Sequence, residues 1–309
     1  MELHHDPRWP RANDWFKDGL KSADLGLLGV GTHRSALTPN NSHMTPAAVR
    51  TALARYSTWS ASHAIDFADH ISGSDLGDVT DPDGPEGEVR VIQKVSEALP
   101  GTRLLVALGG DNAMTFSAAS GVASGVASGV AGAVGGLELL GLVTLDAHHD
   151  VRDGISNGSP VRRLIEAGLR GEKVVQVGIS DFANSKEYAA RVKDFGITVI
   201  RRDEMRGRSM SDVMSEAFAV AGSGTKAIYV DIDVDVCDRS VAPACPAATP
   251  GGLSADELRQ IAFECGRNVQ VRAVDITEID ATLDSPDQRT IRLAALLVLE
   301  LATGLSLRK

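Results

Sequence analysis

Aromatic residues are scarce, with Phe, Tyr and Trp making up only 4% of the 309 residues. A core built without them rests on Ala, Val, Leu and Ile. Cysteine is scarcer still. Cys237, Cys245 and Cys265 are too few for a disulfide framework, and no Cys-x-x-Cys pair offers a zinc knuckle. Positive charge is in deficit, with 31 Lys and Arg against 41 Asp and Glu and a net charge of −10. Nucleic acid and membrane both require a basic face, so neither is expected as a main partner. The N-terminal MELHHDPRWPRANDW is polar and lacks the apolar region of a signal peptide. The expectation is a reduced, cytoplasmic protein. Charge is missing altogether between Asn112 and Leu137, where Gly, Ala and Ser dominate. That stretch is too weakly apolar for a membrane span. Its repeated Ser-Gly-Val-Ala unit puts Gly121, Gly125 and Gly129 on one helical face, suited to close packing against a sheet or another helix. The Gly-rich end is expected to be loose.

Short apolar runs alternate with amphipathic stretches. Strands are predicted at Leu25–Val30, Leu104–Leu108, Gly141–Asp146, Val174–Ile179, Thr198–Arg201, Ala227–Asp233 and Ala273–Glu278. Helical patterns fall between them at Thr45–Tyr56, Glu88–Ala98, Ser159–Ala167, Ser185–Phe195, Met210–Val220, Ser254–Cys265 and Gln288–Thr303. Continuous apolar strands alternating with helices indicate a mostly parallel sheet covered on both faces. Caps are predicted at Thr45-Pro46, at Ser185 and at Ser254, the last with Glu257 three residues on. The acidic, turn-rich Gly73–Glu88 reads as a surface loop after a short strand. No linker is evident, so residues 1–309 are expected to form a single domain, with 1–23 as an N-terminal extension.

Three predicted strands end in clusters of chemistry-bearing residues. LLVALGGDN runs from an apolar strand into Gly109-Gly110 and then Asp111-Asn112. LVTLDAHHD places Asp146, His148 and Asp150 at i, i+2 and i+4. AIYVDIDVDVCD carries Asp231, Asp233, Asp235 and Asp238. In open parallel sheets the carboxyl ends of the strands form the site crevice. So many carboxylates at a buried edge are costly unless cations neutralise them. Carboxylate oxygens with one imidazole suit Mn²⁺ over zinc. More than four carboxylates suggest two metals, which together can generate hydroxide from water near neutral pH.

These motifs resemble those of the ureohydrolases, the arginase–agmatinase–formimidoylglutamase family, over about residues 24–304. The family's Gly-Gly-Asp-His turn, Asp-Ala-His-x-Asp motif, Asp-x-Asp-x-x-Asp-Pro motif and late Glu correspond here to Gly109–Asn112, Asp146–Asp150, Asp233–Arg239 and Glu278. The resemblance implies an arginase-like three-layer α/β/α sandwich with two Mn²⁺ per subunit at the strand ends. Family members are often trimers or hexamers, which leaves a homo-oligomer open. The likeness of CDRSVAP to the family's LDPAFAP sets the register of the third motif. It makes Asp233 and Asp235 the ligands and leaves Asp231 as a candidate just behind them. The implied metal ligands are Asp146, His148, Asp150, Asp233 and Asp235. Glu278 is implied to orient the substrate's planar N–C–N group, which a carboxylate can bind through two N–H bonds. Asn112 replaces the family histidine of the first turn. It is a neutral and weaker donor, a weak or lost ligand. Arg239 and Asp280-Ala281 replace family Pro and Asn-Pro. His149 is expected to be a bystander.

Within the family, arginases and agmatinases carry a further histidine after the second motif, whereas here no histidine follows His149. SNGSPVR, residues 156–162, instead resembles the Ser-Ser-Gly-Thr-Pro-Phe-Arg segment of formimidoylglutamases. That brings Asn157, Ser159 and Arg162 forward as substrate-binding candidates. A dianionic substrate needs cations beyond the metals, which adds Arg34 to Arg162. The expectation is a Mn²⁺-dependent hydrolase that converts N-formimidoyl-L-glutamate and water to L-glutamate and formamide, in histidine degradation. Two alternatives stay open: an agmatinase or other guanidino-compound hydrolase that releases urea, and a metal-poor member of the family that acts in binding.

Overall fold

The computed structural model describes residues 6–19, 22–128 and 136–308. Its frame is a sheet of β1 (Phe16–Asp18), β2 (Ala23–Val30), β3 (Gly73–Asp78), β4 (Thr102–Gly109), β5 (Leu140–Leu145), β6 (Val174–Ile179), β7 (Thr198–Arg201), β8 (Ala227–Asp233) and β9 (Val271–Thr277). The order across it is β1-β3-β2-β4-β9-β8-β5-β6-β7, and every pairing is parallel. The three motif-bearing strands and β9, which leads into Glu278, are therefore neighbours at the centre. Their carboxyl ends open on one edge.

Side chains alternate between two cores. Leu104, Val106 and Leu108 of β4 and Ile228, Val230 and Ile232 of β8 face α1 (Thr45–Leu53), α6 (Met210–Ala221), α7 (Ala255–Arg267) and α8 (Arg289–Ser306). Leu105, Ala107, Ala227 and Tyr229 face α2 (Gly84–Ala98), α3 (Met114–Ala127), α4 (Pro160–Glu166) and α5 (Lys186–Asp194). This is the expected three-layer α/β/α sandwich. Parallel strands buried on both faces explain the near-continuous apolar runs.

The predicted caps at Ser185 and Ser254 form. Ser185 Oγ accepts from Tyr188 N, and Ser254 and Glu257 make a reciprocal capping box. At α1 the hydroxyl of Thr45 instead donates to Ile279 O at 2.5 Å. The loop expected over Gly73–Glu88 is corrected. Its first part is β3, paired to β1 and β2, and its last part is the first turn of α2. Residues 16–18 of the expected N-terminal extension join the sheet edge as β1.

The charge-free stretch forms α3 as far as Ala127. A Cβ on Gly121 would lie 2.7 Å from Val95 Cβ, and one on Gly125 would lie 2.9 Å from Leu99 Cδ2. The two glycines thus let α3 press against α2. Gly129 and the expected loose end fall outside the described residues. No helix among the described residues is long and apolar enough to cross a membrane.

Candidate active site

The strand ends converge as the topology requires. Asp146, His148 and Asp235 each present a ligand atom, all within 4.8 Å of one another. His148 and Asp235 line a cavity of about 230 Å³ together with Asp150, Asp233 and Glu278, with Arg152, Asn157 and the loop residues Leu37, Thr38, Pro246 and Ala247. Gly110 makes the approach possible, because a Cβ there would lie 1.9 Å from Thr32 O. Two of the site's side chains leave from left-handed backbone, Asp150 at φ 52° and Glu278 at φ 62°. That geometry is uncommon for residues with a Cβ and turns both carboxylates into the crevice.

Local hydrogen bonds set the carboxylates. Asp146 Oδ1 accepts from His148 N, and Asp233 Oδ1 accepts from Asp235 N at 2.8 Å. Asp235 Oδ1 accepts from Ala147 N, while its Oδ2 lies 2.6 Å from His148 Nδ1. Glu278 Oε1 accepts from Asn112 N at 2.7 Å and from Asn157 Nδ2 at 2.8 Å. These two bonds fix the plane of Glu278 and leave Oε2 for a ligand.

The electrostatics are those of a cation site. Burial, then the Asp235 and Asp150 carboxylates, pushes Asp146 well above the usual carboxylate range. Burial, then Asp235 and Asp146, does the same to Asp233. Burial also pushes Asp150 up to about 7. It opposes charge on His148, but the Asp235 carboxylate outweighs it and raises the imidazole to about 9. Asp235, raised by burial, is brought below the usual range by the same contact. Asp146 Oδ2 is buried without a hydrogen-bond partner. Packed carboxylates with a partnerless oxygen and one imidazole fit hard divalent cations.

The structure sorts the remaining candidates. Asn112 is at the site, but its Nδ2 donates to Asp150 Oδ2 at 2.7 Å and its Oδ1 accepts from the Thr115 and Thr277 hydroxyls. Asn157 reaches Glu278. Ser159 is turned into its own loop, bonded to Ser156. Arg162 does not reach the cavity: its guanidinium binds the carbonyls of Arg152 and Gly154 and the carboxylate of Glu166. Arg34 lies outside as well, its side chain 64% exposed beside Asp81. The expectation that these two arginines meet the substrate is therefore corrected. The only Lys or Arg among the described lining residues is Arg152, which the sequence reading passed over although it stands two residues after Asp150.

His149 is a bystander, its Nδ1 2.7 Å from Gln176 Oε1. Asp231 is buried two residues before Asp233 in β8, beside Asp275 in the neighbouring strand. The departures from the family pattern have local roles. Arg239 donates to the carbonyls of Cys245 and Pro246 and braces one wall of the cavity. Asp280 accepts from Asn41 N at 2.8 Å and ties down the early loop.

A sequence profile of the arginase family matches residues 23–304. The chain is 32% identical to the formimidoylglutamase of Halalkalibacterium halodurans over 296 residues, 93% of this chain and 89% of the relative. It is 31% identical to that of Bacillus subtilis over 303 residues, 94% and 90% of the two chains. The crystal structure of formimidoylglutamase from Bacillus subtilis superposes with a TM-score of 0.89 at 28% identity, covering 99% of this chain and 95% of that one. A match of this extent, on a sheet that delivers the family's motifs to one crevice, settles the kinship: the chain belongs to the arginase family.

Proposed function

We propose that the chain is a manganese-dependent formimidoylglutamase that hydrolyses N-formimidoyl-L-glutamate to L-glutamate and formamide. Asp146, His148, Asp150, Asp233 and Asp235 would hold the two ions. When bound, the ions supply Lewis acidity and lower the pKa of water within their reach. Glu278, with Oε1 already held, offers Oε2 to the N–H groups of the formamidinium head and aims its central carbon at the metal side of the crevice. Leu37, Thr38, Pro246 and Ala247 also line the cavity.

Arg152 carries this reading. It is a lining residue of the same cavity as the carboxylates, its guanidinium 6.0 Å from the centroid of the Tyr188 ring and without a side-chain hydrogen bond or ion pair among the described residues. A substrate with a cationic head and an anionic tail matches that polarity, whereas a dication such as agmatine places its second charge against Arg152. The three cysteines are buried and free, which fits a cytoplasmic setting.

The test is glutamate release from N-formimidoyl-L-glutamate by Mn²⁺-loaded protein, with arginine and agmatine assayed for urea. Glutamate without urea is expected; urea from either guanidino compound, with no glutamate, overturns the assignment. Asp233→Ala is expected to lose both bound Mn²⁺ and turnover. Full metal content and full rate in that variant would show that the register of the third motif is wrong.

A further inference from the structure

Beneath the metal ligands, between α3 and strands β8 and β9, lies a layer of polar side chains in an otherwise aliphatic core. Tyr229, Asp275, Thr115, Asn112 and Thr277 are each no more than 1% exposed. The Tyr229 hydroxyl lies 2.7 Å from Asp275 Oδ2, and the Thr115 hydroxyl lies 2.8 Å from the same oxygen. Thr115 is also 2.6 Å from Asn112 Oδ1, with Thr277 at 3.2 Å from that atom. Asn112 Nδ2 then donates to Asp150 Oδ2 at 2.7 Å.

We infer that Tyr229, Asp275 and Thr115 form a buried positioning relay, which orients the Asn112 amide toward Asp150 and so sets how tightly the site holds its metal. Thr115 has one proton to give: with Tyr229 donating to Asp275 Oδ2, that proton goes to Asn112 Oδ1, where Thr277, also 3.5 Å from Asp231 Oδ1, is a second donor. With its oxygen occupied by hydroxyl donors, the amide presents its NH₂ end to Asp150. Asn112 thereby acts on the metal through Asp150 and not as a ligand. An aliphatic layer would pack here at no desolvation cost. The polar one connects the first turn of α3 and the sheet interior to a carboxylate that leaves from left-handed backbone and has few other restraints. None of these residues lines the cavity, and Thr115 is the one that joins Asp275 to Asn112, so the test is placed there.

The inference rests on the metal-site reading above, and the test separates the two. Thr115→Val removes the hydroxyl and keeps the branched shape; Thr115→Ser keeps the hydroxyl. Mn²⁺ is titrated calorimetrically into the metal-stripped full-length protein and each variant, and the thermal midpoint of each metal-free form is recorded. Thr115→Val is expected to weaken Mn²⁺ binding about 10- to 100-fold, with Thr115→Ser within about threefold of the parent and Tyr229→Phe between them. Wild-type affinity in Thr115→Val, or equal losses in Thr115→Val and Thr115→Ser, overturns the relay. If the parent protein itself takes up no Mn²⁺, the metal-site reading falls and the relay falls with it.

Discussion

Two arginines ten positions apart show what a residue's neighbours decide. Arg162 follows a Gly-Ser-Pro turn and looks free to reach a substrate. Its guanidinium is instead consumed by the carbonyls of residues 152 and 154, so it braces the loop that presents Arg152. The convergence of Asp146, His148 and Asp235 was legible because their motifs are spaced along single strand ends and need no knowledge of distant packing. Arg152 was not, since which cation faces the crevice depends on how the loop folds back. Asp275 and Thr115 were equally hidden: one polar residue inside an apolar run carries no signal until its partners on other elements are known. Replacing Arg152 by Ala is expected to raise KM for formimidoylglutamate about 10- to 100-fold, the equivalent of one charged hydrogen bond of about 1.5–3 kcal/mol, with little change in kcat. Steady-state kinetics at saturating Mn²⁺ would show it. A fall in kcat at unchanged KM would place Arg152 in the chemical step instead.

Among the elements, the apolar strands and their caps could be read from the chain, and the two acidic or glycine-rich pieces could not be read equally well. β3 has the composition GSDLGD, poor in strand formers, and by sequence reads as a loop. Its place is supplied from outside by parallel pairing on both sides and by Arg50, which bonds Asp75 and Asp78. Tertiary context overrides propensity in this way most easily near sheet edges. The glycine stripe of α3 was legible because small residues four apart share a face whatever the helix packs on. Gly121→Val is expected to cost about 1–3 kcal/mol, because its Cβ would meet Val95 Cβ and Ile92 O on α2. Gly125→Ala should fall nearer zero, since the flexible end of Leu99 can yield and alanine gains about 1 kcal/mol in helix propensity. Thermal or urea unfolding separates the two; equal stability in both variants would mean that α2 and α3 are not in contact at Gly121.

At the scale of the whole molecule, the sheet concentrates acids at one edge. Asp111 and Asp150 are pushed up to about 7 by burial, and Asp146 and Asp233 stand well above the ordinary range. These groups bind protons more tightly folded than unfolded. Their protonation stabilises the metal-free fold, and that stabilisation is lost as pH rises through about 7. His148, raised to about 9, acts in the same direction. Acids held low by partners, such as Asp24 and Asp280, act below the ordinary carboxylate range and leave this window untouched. The metal-free protein is therefore expected to melt at a higher temperature at pH 5 than at pH 8. Mn²⁺, which competes with protons for the same oxygens, should lose affinity as the pH falls from 8 to 5. Melting curves across that range check the first, and a midpoint that falls on acidification contradicts it.

The left-handed backbone at Asp150 and Glu278 sets two aims of protein engineering against each other. Glycine adopts that geometry without strain, so a search that scored thermostability alone would favour glycine at both positions and remove a proposed metal ligand, Asp150, and the carboxylate proposed to hold the substrate, Glu278. A library built on this scaffold should hold those two codons fixed, and a hardened variant that has lost its metal should be sequenced there first.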